Sequence, residues 1–173
     1  MWLAKELEHW REFYLLVGTA GATLLALLFV AVSLGVGYLS EERQSATRIF
    51  MSPVVIHFTA VFFLSALSLV PAHHEVFFAV LIGATALVGA AISSIITVRI
   101  MRSDLTSYVQ DRLAYGLLPV IGYVALLIAA GLILKENEYA LDALAGALLL
   151  LTIVNIRNAW DLSLTMARRH PKE

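Results

Sequence analysis

Three stretches of this chain run for more than twenty residues without a charged side chain: Phe13–Leu39, Val76–Val98 and Leu113–Leu134. A helix needs about 20 apolar residues to cross roughly 30 Å of hydrocarbon, so each run is long enough to span a bilayer. Two more runs are less clean. Pro53–Val70 is shorter and contains His57. In the last, only Ala143–Val154 is purely apolar, but Tyr139–Trp160 makes a full span bracketed by aromatic side chains, as at membrane interfaces. Asp142 then falls near one end, and Asn155, Arg157 and Asn158 near the other. With 60% hydrophobic and 14% charged residues, against about 25% charged in soluble domains, 173 residues cannot hide this surface in one soluble core. The fold class expected is an all-α membrane protein: one domain over residues 1–173, a bundle of five transmembrane helices with spans at 13–39, 53–70, 76–98, 113–134 and 139–160.

The Lys/Arg distribution sets the direction and supports the fifth span. With five spans, one side carries Lys5, Arg11 and Lys135, and the other Arg43, Arg48, Arg99, Arg102, Arg112, Arg157, Arg168, Arg169 and Lys172. Three against nine is a strong positive-inside bias, placing the N-terminus outside and the C-terminus in the cytoplasm. Without the fifth span the split becomes seven against five and the asymmetry is lost.

The first run is too long for a signal h-region, and Glu6, Glu8 and Glu12 precede it where a basic n-region would stand, so it reads as a retained span. Trp2, Leu3, Leu7, Trp10 and Tyr14 recur at helical spacing opposite Lys5, Glu6, Glu8 and Glu12, which predicts a short N-terminal interfacial helix. Ser52-Pro53 has the form of a cap followed by proline at a helix start, Pro71 closes that helix, and Ser103-Asp104 can cap the segment before the fourth span. Pro119 should kink the fourth helix unless the helix begins there.

Lipid supplies no hydrophobic drive for helix association, so small residues carry the packing. Thr85, Gly89, Ser93 and Thr97 lie four apart on one face of the third span, with Ala86, Ala90 and Ser94 beside them; Gly18, Ala22 and Ala26 do the same on the first. The segments 86–90 and 143–147, containing Gly89 and Gly146, share a small-residue pattern that a duplicated hairpin would produce.

Polar groups in hydrocarbon are costly and mark candidate functional positions. The inner half holds His57, Ser93, Ser94, Thr97, Tyr115, Asn155 and Asn158; the outer half holds Ser65, Ser68, Thr85 and Asp142. His57 lies one turn into its span, about 6 Å from the inner helix end, and can serve as a hydrogen-bond partner, a proton-responsive group or a packing histidine. Asn155 and Asn158, three apart, can reach His57, Ser93 or Thr97 across helices. Arg157 can extend to the headgroups or pair with Asp161. On the outer loop, His73, His74 and Glu75 have metal-ligand chemistry, but adjacent histidines do not readily share one ion, and the topology keeps His57 on the other side.

Absences narrow the classes. With no cysteine, disulfides, thiolate nucleophiles and Cys-type zinc sites are excluded. The net charge of −1 and the lack of a basic tract give no sign of nucleic acid as a partner. No P-loop, HExxH or GxGxxG motif occurs, no carboxylate lies mid-span, and no cofactor is implied. Two readings lead: a homo-oligomeric pore in which symmetry repeats the inner polar groups as rings, and a non-catalytic accessory, assembly or lipid-binding subunit. A membrane-embedded lipid enzyme is third. The partners expected are membrane lipid and either further copies of the chain or another membrane protein.

Residues 13–20, Phe-Tyr-Leu-Leu-Val-Gly-Thr-Ala, and 27–34, Leu-Leu-Phe-Val-Ala-Val-Ser-Leu, resemble the start of small uncharacterised bacterial integral membrane proteins. The resemblance covers mainly the first span. It implies a bacterial inner-membrane setting and carries over no activity and no functional residue.

Overall fold

The computed structural model describes residues 2–35, 41–71, 74–102 and 113–167. Every regular element among them is helical: α1 (Trp2–His9), α2 (Arg11–Gly35), α3 (Glu41–Ser68), α4 (Glu75–Arg102), a π-helical turn (Leu113–Leu117), α5 (Leu118–Leu134) and α6 (Ala140–Ala167). Among the described residues, four helical stretches are long and apolar enough to cross a membrane: Arg11–Ala31, Glu75–Arg99, Leu113–Leu134 and Ala140–Leu164. The apolar part of α3, Pro53–Ser68, is shorter. The segment that hydropathy marks least clearly thus forms a full apolar helix, and the short one is the second. The proposed cap at Ser103-Asp104 and the ligand candidate His73 lie outside the described residues.

The reason lies in where α6 sits. Over half of its spanning window is buried (56%), against 28% for α2, and it packs on α5, α3 and α2. As the central helix it turns Asn155, Asn158 and Thr152 into protein, each under 9% exposed, so its polar residues need not meet lipid. α4 packs along α5, α2 along α3, and α3 also meets α4.

α1 follows its sequence pattern closely. Leu3 and Leu7 are buried in the main apolar core with Tyr14, Val17 and Leu64, while Lys5 and Glu8 are exposed. The chain passes from α1 to α2 through Trp10, whose N–H donates to the Glu6 carbonyl at 3.3 Å and whose ring packs edge-on against Phe13 at 5.5 Å. α1 is therefore docked on the end of the bundle.

Two prolines behave differently. α3 does not start at Ser52-Pro53; it runs from Glu41 through Pro53. Proline inside an apolar helix is tolerated where surrounding helices and local adjustments satisfy the freed backbone groups. In the fourth span Pro119 lies just past the π-helical turn at Leu113–Leu117, which runs into α5 without a break, Leu117 keeping helical angles (φ −66°, ψ −45°). Local π adjustments of this kind accommodate proline inside apolar helices.

Candidate functional site

The bundle is built on close backbone approaches, and these fix the depth of every polar side chain. Gly18 abuts Ser65 and Gly21 abuts Val61, so α2 and α3 are antiparallel neighbours. The buried face of α2 is Tyr14, Val17, Gly18, Gly21 and Leu28, whereas Ala22 is half-buried and Ala26 exposed. Between α4 and α5, a Cβ at Gly116 would lie 3.1 Å from Thr97 Cγ2, a Cβ at Gly89 would fall inside the Tyr123 ring, and one at Gly83 would lie 3.9 Å from Ala130. Gly146, by contrast, is exposed and would meet nothing within 4 Å. Gly89 and Gly146, equivalent in the proposed repeat, occupy opposite environments.

The slot made by Gly89 seats Tyr123, which is fully buried, and Tyr123 reaches His57. The Tyr123 hydroxyl and His57 Nδ1 are 2.8 Å apart, with ring centroids at 5.4 Å. A phenol hydroxyl and an imidazole nitrogen, each able to donate or accept, satisfy one another away from water. The sequence pointed to His57 but not to its partner. The available signal was a tyrosine in mid-span, which needs a hydrogen-bond partner when buried.

A second pair closes the Arg-rich end. The Tyr115 hydroxyl donates to the Asn158 carbonyl at 2.9 Å and to Asp161 Oδ2 at 3.2 Å. Asn158 Nδ2 returns a hydrogen bond to the Ala114 carbonyl at 2.9 Å, and Asn158 Oδ1 accepts from Arg157 at 3.3 Å. The π-helical turn is thereby held to α6 by reciprocal side-chain-to-backbone bonds. Asp161 thus receives Tyr115, and Arg157 reaches Asn158.

The remaining candidates divide. Thr97 donates to the Ser93 carbonyl of its own helix at 2.7 Å and packs on Gly116; Thr85 bonds back to Leu81; Ser94 is exposed. Ser93 and Asn155 are 1% and 0% exposed, yet Ser93 Oγ and both polar atoms of Asn155 have no hydrogen-bond partner. His57 bonds to Tyr123 and Asn158 to Ala114, so neither of them pairs with Asn155 or Ser93. Toward the α1 end of the bundle, Ser65 Oγ and the Tyr14 hydroxyl are likewise buried and unpartnered. His74 directly precedes α4, its carbonyl accepting from the Phe78 N–H at 3.0 Å. No group of three metal-capable side chains occurs among the described residues.

Between α3 and α4 a lateral cleft of about 360 Å³ opens in the flank of the bundle, and Tyr123 and Gly89 lie among its lining. Its rim includes Phe63 and Val88, 42% and 60% exposed.

No protein-family model matches the chain, no curated protein is significantly similar to it, and no solved structure matches its fold. The chain is a multi-helix protein whose described residues include four apolar helices of membrane-spanning length and a fifth, shorter apolar helix.

Proposed function

We propose that this chain is a five-span protein of a bacterial inner membrane, N-terminus outside and C-terminus cytoplasmic, that acts without catalysis as a lipid-binding module. The charge asymmetry supports the direction. The fifth crossing is supported by α3, which runs antiparallel to α2 over Gly18–Ser65 and Gly21–Val61 and carries no charged side chain from Ile49 to Ser68. At 1.5 Å per residue that uncharged stretch is about 30 Å long, the thickness it has to cross.

The observation carrying the lipid-binding reading is the cleft between α3 and α4. It is walled by Ile56, Ala60, Phe63, Ala84 and Val88, opens sideways where acyl chains would lie, and ends at Tyr123. Its volume falls within the ~300–1,000 Å³ of small-molecule sites. An inter-protomer pore lined by His57, Ser93 and Asn155 receives less support, because all three are turned into the core of a single chain. The exposed Gly131 and Gly146, with nothing within 4 Å, still leave room for a second copy to approach closely.

The test is Ala84→Phe, which places a ring in the cleft from an exposed position on its wall. In nanodiscs containing a phospholipid with a photoreactive acyl chain, labelling of α3 and α4 cleft residues should fall roughly tenfold, the effect of losing about 1.4 kcal/mol of binding. Unchanged labelling at those residues would remove the cleft as the site.

A further inference from the structure

The register of the helices places the two unpartnered inner side chains at one depth. On α4 and α5, the pairs Thr97–Gly116 and Gly89–Tyr123 put Ser93 level with Pro119 and Val120. On α5 and α6, the pairs Tyr115–Asn158 and Gly122–Leu151 put Asn155 level with Leu118 and Pro119. One turn nearer the Arg-rich end lies the Tyr115–Asn158–Asp161 group; one turn farther in lies the Tyr123–His57 pair. Polar side chains therefore follow one another from Asp161 to the level of Leu151. Ten residues of α6 make about 15 Å, half the hydrocarbon thickness. Immediately beyond that level lies an apolar layer of buried Ile82, Ala86, Leu126, Leu144 and Leu148, before the buried Ser65 and Tyr14 nearer the other end.

Asn155 and Ser93 bring a carboxamide and a hydroxyl, both neutral, each able to donate and accept. A bound ion would find no countercharge from these two. Water, which takes two to four hydrogen bonds from otherwise unsatisfied buried groups, suits them. We propose that Asn155 and Ser93, at one depth, each hold internal water reached from the Arg-rich face past the half-buried Arg157 and Asp161, so that the bundle contains a hydrated half-channel ending at the level of the Tyr123–His57 pair. Water there reaches one edge of His57 from a single side of the membrane, and the apolar layer beyond prevents passage through the protein. The site rests on the membrane orientation proposed above, but not on lipid occupying the α3–α4 cleft.

The chain has no cysteine, so single-cysteine variants report accessibility without background. The thiolate attacks the sulfenyl sulfur of a methanethiosulfonate and expels methanesulfinate, and that thiolate forms only where water reaches. In sealed vesicles of known orientation, Ser93→Cys and Asn155→Cys should react with a small membrane-impermeant cationic methanethiosulfonate from the C-terminal side at least about tenfold faster than Ala86→Cys and Ala147→Cys. Reaction from the N-terminal side instead would reverse the topology while leaving the site intact if Lys172→Cys also reacts from that side, and would otherwise overturn the half-channel. The deciding measurement uses the unaltered chain in nanodiscs: magnetisation transfer from water to the Asn155 side-chain amide by NMR. A cross-peak supports the site, and its absence overturns it whatever the cysteine variants do.

Discussion

Gly89→Ala is expected to destabilise the bundle by about 3 kcal/mol, the upper part of the usual range for overpacking. A single methyl at this position would fall within the Tyr123 ring, and the ring is no flexible tip that can swing aside. It is fully buried, and its hydroxyl is fixed 2.8 Å from His57. α4 and α5 must separate, or Tyr123 must leave its slot and abandon the histidine. Unfolding in mixed SDS–detergent micelles, followed by circular dichroism, reads the change directly. A shift under about 0.5 kcal/mol, the range of innocuous surface substitutions, would mean that the α4–α5 approach is looser than described.

Substitutions at Tyr123 separate packing from hydrogen bonding at the same junction. Tyr123→Ala should cost about 3–5 kcal/mol, because removing a fully buried ring leaves a cavity that neighbours fill only in part. Tyr123→Phe keeps the ring and removes only the bond to His57. Interhelical hydrogen bonds in membrane proteins average about 0.6 kcal/mol, so its cost should be near 1 kcal/mol or below. Packing is thus expected to exceed the hydrogen bond several-fold. The double variant Gly89→Ala/Tyr123→Ala should be less destabilised than the two single changes summed, because without the ring the added methyl has space. Equal costs for Tyr123→Phe and Tyr123→Ala would contradict this assignment and make the hydrogen bond dominant.

What the sequence made legible follows from which signals are local. The amphipathic spacing of Trp2–Tyr14 anticipated a helix with Leu3 and Leu7 on its buried face, because one helical period repeats over a few residues. His57 was legible because an ionisable group inside an apolar run is conspicuous. Tyr123 was not, since hydropathy treats a mid-span tyrosine as one more apolar residue, and the partner lies 66 positions away in sequence. Asn155 and Asn158, three apart on one helix, looked equivalent. They differ because the π-helical turn brings the Ala114 carbonyl to Asn158, and a turn of that kind has no strong local signature.

The relative strength of the spans was misjudged for a related reason. Hydropathy treats every residue of a run as facing lipid, but α6 is mostly enclosed by protein, so Asn155, Arg157 and Asn158 do not interrupt it. The glycines show the same limit. Gly18, Gly89 and Gly146 are alike in sequence context, yet Gly18 and Gly89 meet a neighbouring helix while Gly146 faces open space. Which face of an evenly apolar helix points inward is decided by its neighbours.

The central claim, a bundle crossing the membrane five times, is tested most directly by locating the two ends of the chain. Lys5→Cys and Lys172→Cys are placed in the otherwise cysteine-free protein and treated with a membrane-impermeant maleimide in intact spheroplasts. Five crossings predict that Lys5→Cys is labelled at once and Lys172→Cys only after the membrane is permeabilised. Labelling of both in intact spheroplasts, or of neither, would put the ends on one side and show an even number of crossings.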